Sequence, residues 1–354
     1  MSDSCVTTAG IQPVFIIAEA GVNHNGSDEL AIQLVEAAAR CGVNAVKFQT
    51  FSAEKLVRPG AEKAEYQKRE TGAGDQFSML KALEMSPELH RRLMARCQEL
   101  NIEFMSTPFD EAAADFLLAL GMQRIKVPSG EITNIPFLEF LAAKGVPLIV
   151  STGMATLEEI QAAVATIAAT RSKASMDGPL KDALTILHCT SNYPAQYFDV
   201  NLRAMRTIAE ETGCPVGYSD HTLGIAVSTA AVALGARVIE KHFTLDRDLP
   251  GPDHRASLTT DELAAMVQQI RAVEQALGSA VKEPTASELP VRELVRRSVT
   301  TVRALRIGEV VRAEDVVLLR PGNGIRPAEL GAVAGRTALI DIPAGTTLQW
   351  PDLG

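Results

Sequence analysis

The chain has 354 residues, of which 46% are hydrophobic and 22% are charged, so it has enough apolar material for a large core and more than one domain. Its net charge of −9 comes from interspersed acidic and basic residues, and the absence of any Lys- or Arg-rich block argues against nucleic acid or an anionic membrane as a partner. Five scattered cysteines without a C-x-x-C pair favour a reducing, cytoplasmic setting, and neither the polar segment 1–12 nor any later stretch predicts a signal peptide or a membrane span.

Short apolar runs alternate along the chain with longer stretches of helical periodicity, which is the pattern of parallel strands joined by crossover helices. We predict eight strands, at residues 14–19, 45–50, 103–107, 124–129, 148–152, 184–190, 216–220 and 237–243. Because eight parallel strands of this kind close into a barrel, the sequence indicates an α/β fold of the (β/α)8 type, a TIM barrel.

Capping signals mark the start of two of the intervening helices. Thr156 with Glu159, and Thr259 with Glu262, have the spacing of a capping box. The connection at 51–85 is too rich in charge and glycine to be only a crossover helix, so we expect it to form an ordered flap over the site.

The pattern changes after Gly278. We assign residues 1–278 to the barrel, 279–295 to a polar linker with two prolines, and 296–354 to a smaller module. This module has short β-like pieces at 298–302, 309–311, 316–319 and 337–342. A β-rich domain of about 60 residues is at the small end of independent stability, so it would gain from docking on another surface.

Polar side chains finish most of the predicted strands, where the chemistry of such barrels lies. Lys47 ends one strand, and Lys126 followed by Ser129 ends another, which points to a site for a phosphate or a carboxylate. In the alternative interpretation, both lysines are half-buried partners of Glu19, Glu131 or Glu240. The two interpretations can coexist.

Five of the six histidines fall at or just beyond strand ends, whereas His90 lies on a helix that looks solvated. His221 and His242 end the last two strands, which are neighbours about 5 Å apart in a parallel sheet, so both imidazoles could reach one ion. Two histidines with open positions suit Mn²⁺, Fe²⁺, Co²⁺ or Zn²⁺ better than Mg²⁺. The alternative is a hydrogen-bonded histidine pair that lines a pocket.

The tripeptide Ser219-Asp220-His221 contains the three residue types of a hydrolytic triad. Adjacent residues of a strand point to opposite faces, so these three cannot form a relay. We expect Cys189 to act as a small buried hydrophobe.

Segments spread over nearly the whole chain resemble the phosphoenolpyruvate-dependent sialic acid synthases. These segments are 16–24 (IIAEAGVNH), 46–49 (VKFQ), 106–110 (STPFD), 126–131 (KVPSGE), 151–154 (STGM), 188–190 (HCT), 193–194 (YP), 217–222 (GYSDHT), 240–244 (EKHFT) and 251–253 (GPD). The terminal module, with RPGNG at 320–324, resembles the antifreeze-like (SAF) domain that follows the barrel in that family.

The resemblance implies a reaction as well as a fold. Phosphoenolpyruvate would condense with open-chain N-acetylmannosamine to give N-acetylneuraminate and phosphate. The alternative product is N,N'-diacetyllegionaminate, made from a 2,4-diacetamido-trideoxyhexose. The family also implies a domain-swapped homodimer and a divalent metal on His221 and His242, with Mn²⁺ first and Mg²⁺, Co²⁺ or Fe²⁺ as alternatives.

The resemblance further assigns roles to individual residues. Catalytic roles fall to Glu19, Lys47, Lys126 and Glu131. Substrate-binding roles fall to Gln49, Thr107, Ser129, Ser191, Tyr193, Ser219, Asp253 and Arg320, the last of which would reach the site of the other subunit. One departure is Ser191 followed by Asn192, where N-acetylneuraminate synthases can carry Asn, and it leaves the identity of the sugar open.

Two other function classes remain at this stage. A barrel aldolase could use Lys47 or Lys126 as a Schiff-base nucleophile and would need no metal. A carbohydrate-binding or ice-binding protein built on the terminal module would make few demands on the barrel mouth, which the crowded strand ends contradict.

Overall fold

The structure is a computed structural model that describes residues 12–354. Residues 1–11, which include Cys5 and most of the polar N-terminal segment, lie outside the described residues. The chain divides into two compact units with their boundary between Gly278 and Ser279. Within the described range, no helix combines the length and the apolar character needed to cross a membrane.

The first unit is built on eight parallel strands. They are β1 (Phe15–Gly21), β2 (Ala45–Thr50), β3 (Glu103–Pro108), β4 (Ile125–Val127), β5 (Leu148–Ser151), β6 (Leu184–Cys189), β7 (Val216–Asp220) and β8 (Val238–His242). The sheet order is β3-β2-β1-β8-β7-β6-β5-β4, and the two outermost strands, β3 and β4, contact each other. The sheet is therefore a nearly closed barrel, as predicted, and its strand ends lie within two residues of the predicted ones.

Twelve helices accompany these strands in the described part of the first unit. They are α1 (Asp28–Arg40), α2 (Ala53–Leu56), α3 (Glu65–Thr71), α4 (Gln76–Lys81), α5 (Pro87–Glu99), α6 (Glu111–Leu120), α7 (Ile135–Ala142), α8 (Leu157–Lys173), α9 (Leu180–Ala183), α10 (Ala204–Thr212), α11 (Ala226–Ala233) and α12 (Thr260–Leu277). Both predicted capping boxes are present, since Thr156 opens α8 and Thr259 opens α12. Helices α2, α3 and α4 lie in the segment 51–85 and give it the order that we expected.

Strand residues alternate between two environments. Side chains that point outward, such as Val46 and Phe48, pack against the helices in the main core. Side chains that point inward form a small apolar cluster on the barrel axis, below the carboxyl ends of the strands: Ile17, Ala45, Met105, Ile149, Leu187 and Val238. Because the strand period is two, the next inward residue on each strand lies one step closer to the carboxyl ends.

The prediction for His90 is wrong. Its side chain is only 1% exposed and packs edge-on against Phe104 and Phe116. Its Nε2 atom forms a hydrogen bond with Thr50 Oγ1 at 2.8 Å. The helical pattern of α5 looked polar because Arg and Glu dominate its outer face, but His90 belongs to the inner face.

The second unit contains α13 (Glu288–Val295), β9 (Ser298–Thr301), β10 (Val316–Leu319) and α14 (Leu330–Val333). Strands β9 and β10 pair antiparallel over a small apolar core. The pieces predicted at 309–311 and 337–342 form isolated bridges rather than strands. The segment predicted as a linker, 279–295, contains helix α13.

Candidate active site

A cavity of about 430 Å³ opens at the carboxyl ends of the barrel strands. It collects twelve of the side chains singled out from the sequence: Glu19, Lys47, Gln49, Thr107, Lys126, Ser129, Ser191, Tyr193, Ser219, His221, His242 and Asp253. They meet there because each strand contributes its last inward residues. Register places Glu19 of β1 beside Lys47 of β2 and beside His242 of β8.

Buried charges form a network at the floor of the cavity. Lys47 contacts the carboxylate of Glu19, donates to Thr107 Oγ1 at 3.0 Å and lies 3.8 Å from Glu240 Oε2. Lys126 Nζ lies 3.4 Å from Glu240 Oε1, which accepts a hydrogen bond from Ser219 at 2.9 Å. Both lysines are therefore partners of carboxylates, and both also border open space where an anion can bind.

The network shifts the pKa of each member. Burial would raise the pKa of Glu240, but Lys126 and Lys47 outweigh burial and lower that pKa to about 2. Burial lowers the pKa of Lys126, whereas Glu19 and Glu240 overcome burial and raise the pKa of Lys47. Burial raises the pKa of Glu19 despite the contact with Lys47, so Glu19, rather than Glu240, is the carboxyl of this network that is able to carry a proton.

Hydroxyl groups from the ends of β4, β5 and β6 form one side of the cavity. Ser129 Oγ accepts a hydrogen bond from the Gly153 amide at 2.9 Å. A Cβ atom at Gly153 would lie 2.1 Å from Ser191 Oγ, so only glycine lets the chain approach this closely. Ser151 Oγ is buried and has no partner. With Lys126, these groups provide donors suited to a phosphate or a carboxylate.

His221 and His242 face each other across the mouth of the cavity, with ring centroids 5.6 Å apart. His221 Nδ1 donates to the Thr190 carbonyl at 2.7 Å, which orients the ring. Burial lowers the pKa of His221 to about 4, and burial together with the nearby His221 lowers the pKa of His242 as well. Both imidazoles are therefore neutral near pH 7, which is the form that binds metals.

Two further groups complete this part of the site. The ring of Tyr193 lies 4.2 Å from that of His221, centroid to centroid. Asp253 Oδ2 lies 3.9 Å from His242 Nδ1, a buried atom that has no hydrogen-bond partner. Burial and the nearby Glu19 raise the pKa of Asp253 to about 7.

Comparison with known proteins identifies the family. Residues 34–282 match the NeuB family, and residues 296–354 match the SAF domain. This chain belongs to the NeuB family, the sialic acid synthases. It is accordingly an enzyme of the sialic acid synthase type, with a TIM-like barrel followed by a SAF domain.

Three relatives illustrate the similarity. The chain is 55% identical over 337 residues to the N,N'-diacetyllegionaminic acid synthase of Legionella pneumophila, covering 95% of this chain and 93% of the relative. It is 42% identical to the N,N'-diacetyllegionaminic acid synthase of Campylobacter jejuni, covering 93% and 96%. The crystal structure of an N-acetylneuraminic acid synthetase from Leptospira borgpetersenii in complex with citrate superposes with a TM-score of 0.69 at 35% identity, covering 81% and 94%.

The two histidines of the synthase can bind a divalent metal only if further ligands complete its coordination. The part of the chain described by the structure contains no group of three or more His, Cys, Asp or Glu arranged to hold an ion. His221 and His242 provide two neutral imidazoles, and the buried Nδ1 of His242, which has no hydrogen-bond partner, is an atom that could bind a metal. Water or substrate oxygens would have to complete the coordination.

Two residues chosen from the sequence do not line the cavity of the synthase. Glu131 lies just beyond β4, and its carboxylate accepts a hydrogen bond from Asn134 at 2.6 Å. Arg320 is exposed in the second unit, directly after β10. Of the two carboxylates proposed for proton transfer, only Glu19 borders the cavity.

Sequence reasoning missed some residues of the synthase site. Glu240 was named only as one of three possible partners of the lysines and was given no role in the site, but it lies between both lysines. Tyr66, Met79 and Leu80 reach the cavity from the segment 51–85, whose path no motif predicted.

Asp220 of the synthase faces away from the cavity. Its carboxylate accepts hydrogen bonds from Thr222 and Ser228 and lies 3.0 Å from Lys241 Nζ. The exclusion of a Ser-Asp-His relay is confirmed, because Ser219 and His221 point inward while Asp220 points toward the helices.

Proposed function

We propose that this chain is an N,N'-diacetyllegionaminic acid synthase. It condenses phosphoenolpyruvate with an open-chain 2,4-diacetamido-2,4,6-trideoxyhexose and releases phosphate. The observation that carries the proposal is one cavity with both a lysine- and serine-lined side and a neutral histidine pair. The sequence-based expectation put N-acetylneuraminate first, but identities of 55% and 42% to two legionaminic acid synthases favour the alternative.

Phosphoenolpyruvate binds on the side formed by the ends of β4 to β7. Lys126 supplies positive charge, and Ser129, Ser151 and Ser219 supply hydroxyl donors to the phosphate and carboxylate oxygens. The free hydroxyl of Ser151 supports this role, because a buried donor without a partner needs one from a ligand.

His221 and His242 hold a divalent metal, Mn²⁺ in our proposal, with Mg²⁺, Co²⁺ or Fe²⁺ as alternatives. When bound, such a metal supplies Lewis-acid polarisation of a carbonyl oxygen. The Tyr193 ring covers His221 and limits the access of water to this end of the cavity. Gln49 and Asp253 border the space beside the two histidines, where they position the sugar.

The bond changes follow from the two substrates. C3 of phosphoenolpyruvate attacks the aldehyde carbon, and water adds to the electron-poor C2. The C2–O bond to phosphate then breaks while the proton of the new C2 hydroxyl passes to the departing phosphate, which leaves the ketone of the product and inorganic phosphate. Glu19 takes the proton that water gives up and returns it to the sugar alkoxide, and its raised pKa suits this exchange.

A reconstitution experiment tests this function. Metal-stripped protein is incubated with phosphoenolpyruvate and either the diacetamido sugar or N-acetylmannosamine, Mn²⁺ is added back, and phosphate release is measured. We expect release only with metal, and faster release with the diacetamido sugar. Borohydride should trap no pyruvate adduct on Lys47 or Lys126. If no phosphate is released with either sugar, the assignment is refuted.

We also propose that the site is completed by Arg320 from a second copy of the chain, in a domain-swapped homodimer. Its exposed position in the SAF unit supports this role. Arg320→Ala and His221→Ala should each be inactive. Mixing them under subunit exchange should restore about a quarter of the wild-type sites, because half of the dimers are then mixed and each mixed dimer has one intact site. No recovery despite subunit exchange, verified by mass, would exclude the swap.

A further inference from the structure

The cavity has two chemically different sides. Lys126, Ser129, Ser151 and Ser219 come from the ends of β4 to β7, which are contiguous in the sheet. The ends of β1, β2 and β3 are also contiguous. They contribute polar side chains to the floor of the cavity (Glu19, Lys47, Gln49 and Thr107), but the loops and the flap beyond these ends give the cavity a largely apolar lining. The histidine pair lies between the two sides, because His221 directly follows β7 and His242 ends β8. Two substrates that meet at the histidines would therefore extend in opposite directions.

The apolar side is a distinct hydrophobic cluster, separate from the main barrel core. Val22, Phe51 and Leu83 form its buried base. Leu56, Met79, Leu80 and Phe109 pack on that base, remain partly exposed and border the cavity. We call these four side chains the apolar wall.

The apolar wall is held by the segment 51–85. Leu56 is the last residue of helix α2, while Met79 and Leu80 lie on helix α4. Phe109 meets Phe51 edge-on, with ring centroids 6.0 Å apart. The wall is thus assembled from the flap and from the loops after β2 and β3, a combination that the barrel itself does not require.

Polar groups of the flap near the wall bond to one another. Gln67 Oε1 accepts hydrogen bonds from the Ala64 amide at 3.0 Å and from Gln76 Nε2 at 3.5 Å. Gln67 Nε2 donates to Tyr66 OH at 3.4 Å. These contacts leave Gln67 with fewer hydrogen-bonding groups for a hydroxyl on this side.

The chemistry of the substrate fits this division, on the basis of the proposed function. A 2,4-diacetamido-2,4,6-trideoxyhexose carries a C6 methyl and an N4 acetyl methyl at the end far from its aldehyde. N-acetylmannosamine carries a hydroxymethyl and a hydroxyl at those positions. An apolar surface favours the methyl groups and leaves the hydroxyls without hydrogen bonds.

We propose that the apolar wall selects the sugar: it receives the 6-deoxy, 4-acetamido end of the acceptor and discriminates against a hydroxymethyl end. Leu80 is the wall residue chosen for the test, since it lies on α4 and borders the cavity.

The test compares kcat/KM for phosphate release with the two sugars. We expect the wild type to favour the diacetamido sugar by about a hundredfold. Leu80→Asn has nearly the same shape but adds an amide, and it should narrow the ratio by about tenfold, mostly through a lower kcat/KM for the diacetamido sugar. Leu80→Met keeps the position apolar and should retain the preference. Leu234→Asn makes the same chemical change at an exposed site outside the cavity and should leave both rates unchanged.

Each outcome decides the proposal. If Leu80→Asn folds and keeps the wild-type ratio, or if it slows both sugars equally, the wall does not set specificity. If Leu80→Asn fails to fold, Met79→Gln replaces it under the same criteria. A wild type that favours N-acetylmannosamine would overturn this inference and leave a synthase in place, whereas no turnover of either sugar would refute the proposed function itself.

Discussion

Asp220 and Lys241 stabilise the strands of the site from the side that faces the helices. They form a fully buried ion pair on the helix-facing side of β7 and β8, the strands that carry His221 and His242 on the other side. Removing one member leaves an uncompensated buried charge. We therefore expect Asp220→Ala to lower the free energy of unfolding by about 3–5 kcal/mol, measured by urea denaturation.

Two controls separate this effect from a general loss of charge. Asp220→Ala combined with Lys241→Met should be less destabilised than Asp220→Ala alone, because no unpaired charge remains. Glu210→Ala breaks the exposed pair with Arg206 and should cost less than about 1 kcal/mol. Equal costs for the buried and exposed pairs would contradict the role given to Asp220.

At the level of elements, the sequence was sufficient to predict the barrel strands. Each strand is a short β-rich run followed by a loop or a helix-start signal, and the capping boxes at Thr156 and Thr259 are local patterns that depend on nothing distant. The inward positions of Lys47, His221 and His242 also follow from strand ends, because the carboxyl ends of all eight strands meet at one mouth.

Elements that depend on distant packing could not be predicted in this way. The short helices α2 and α4 are held by contacts among the flap and the loops after β2 and β3, so their sequence alone did not reveal their path. Likewise, the sequence offered Glu19, Glu131 and Glu240 as partners of the lysines without choosing among them, because the position of Glu240 between Lys47 and Lys126 follows from the register of β8 against β1 and β7. In the second unit, the sequence pattern does not distinguish an isolated bridge from a strand. The pieces at 309–311 and 337–342 were therefore predicted as strands, although they form only isolated bridges.

For the whole molecule, the histidines predict sensitivity to acid. Burial lowers the pKa of all six, to about 4 for His24, His221 and His254 against 6.5 for an ordinary histidine. The shift has the same direction, with burial as the largest cause, in His90, His188 and His242. Between pH 6.5 and about 4 the unfolded chain therefore binds protons that the native protein excludes.

The free energy of unfolding should consequently fall as the pH drops below about 6.5, by about 1.4 kcal/mol per pH unit for each fully contributing histidine. Asp253 and Glu19 oppose this trend because their native pKa values are raised, but they are two groups against six. Urea denaturation of the metal-free protein at pH 7.5, 6 and 5 measures the slope. His188→Gln keeps a donor for the Val200 carbonyl. It should reduce the slope of the unfolding free energy against pH by the contribution of one histidine. A stability that stays constant from pH 7.5 to 5 in the wild type would show that these histidines take up protons in the native state.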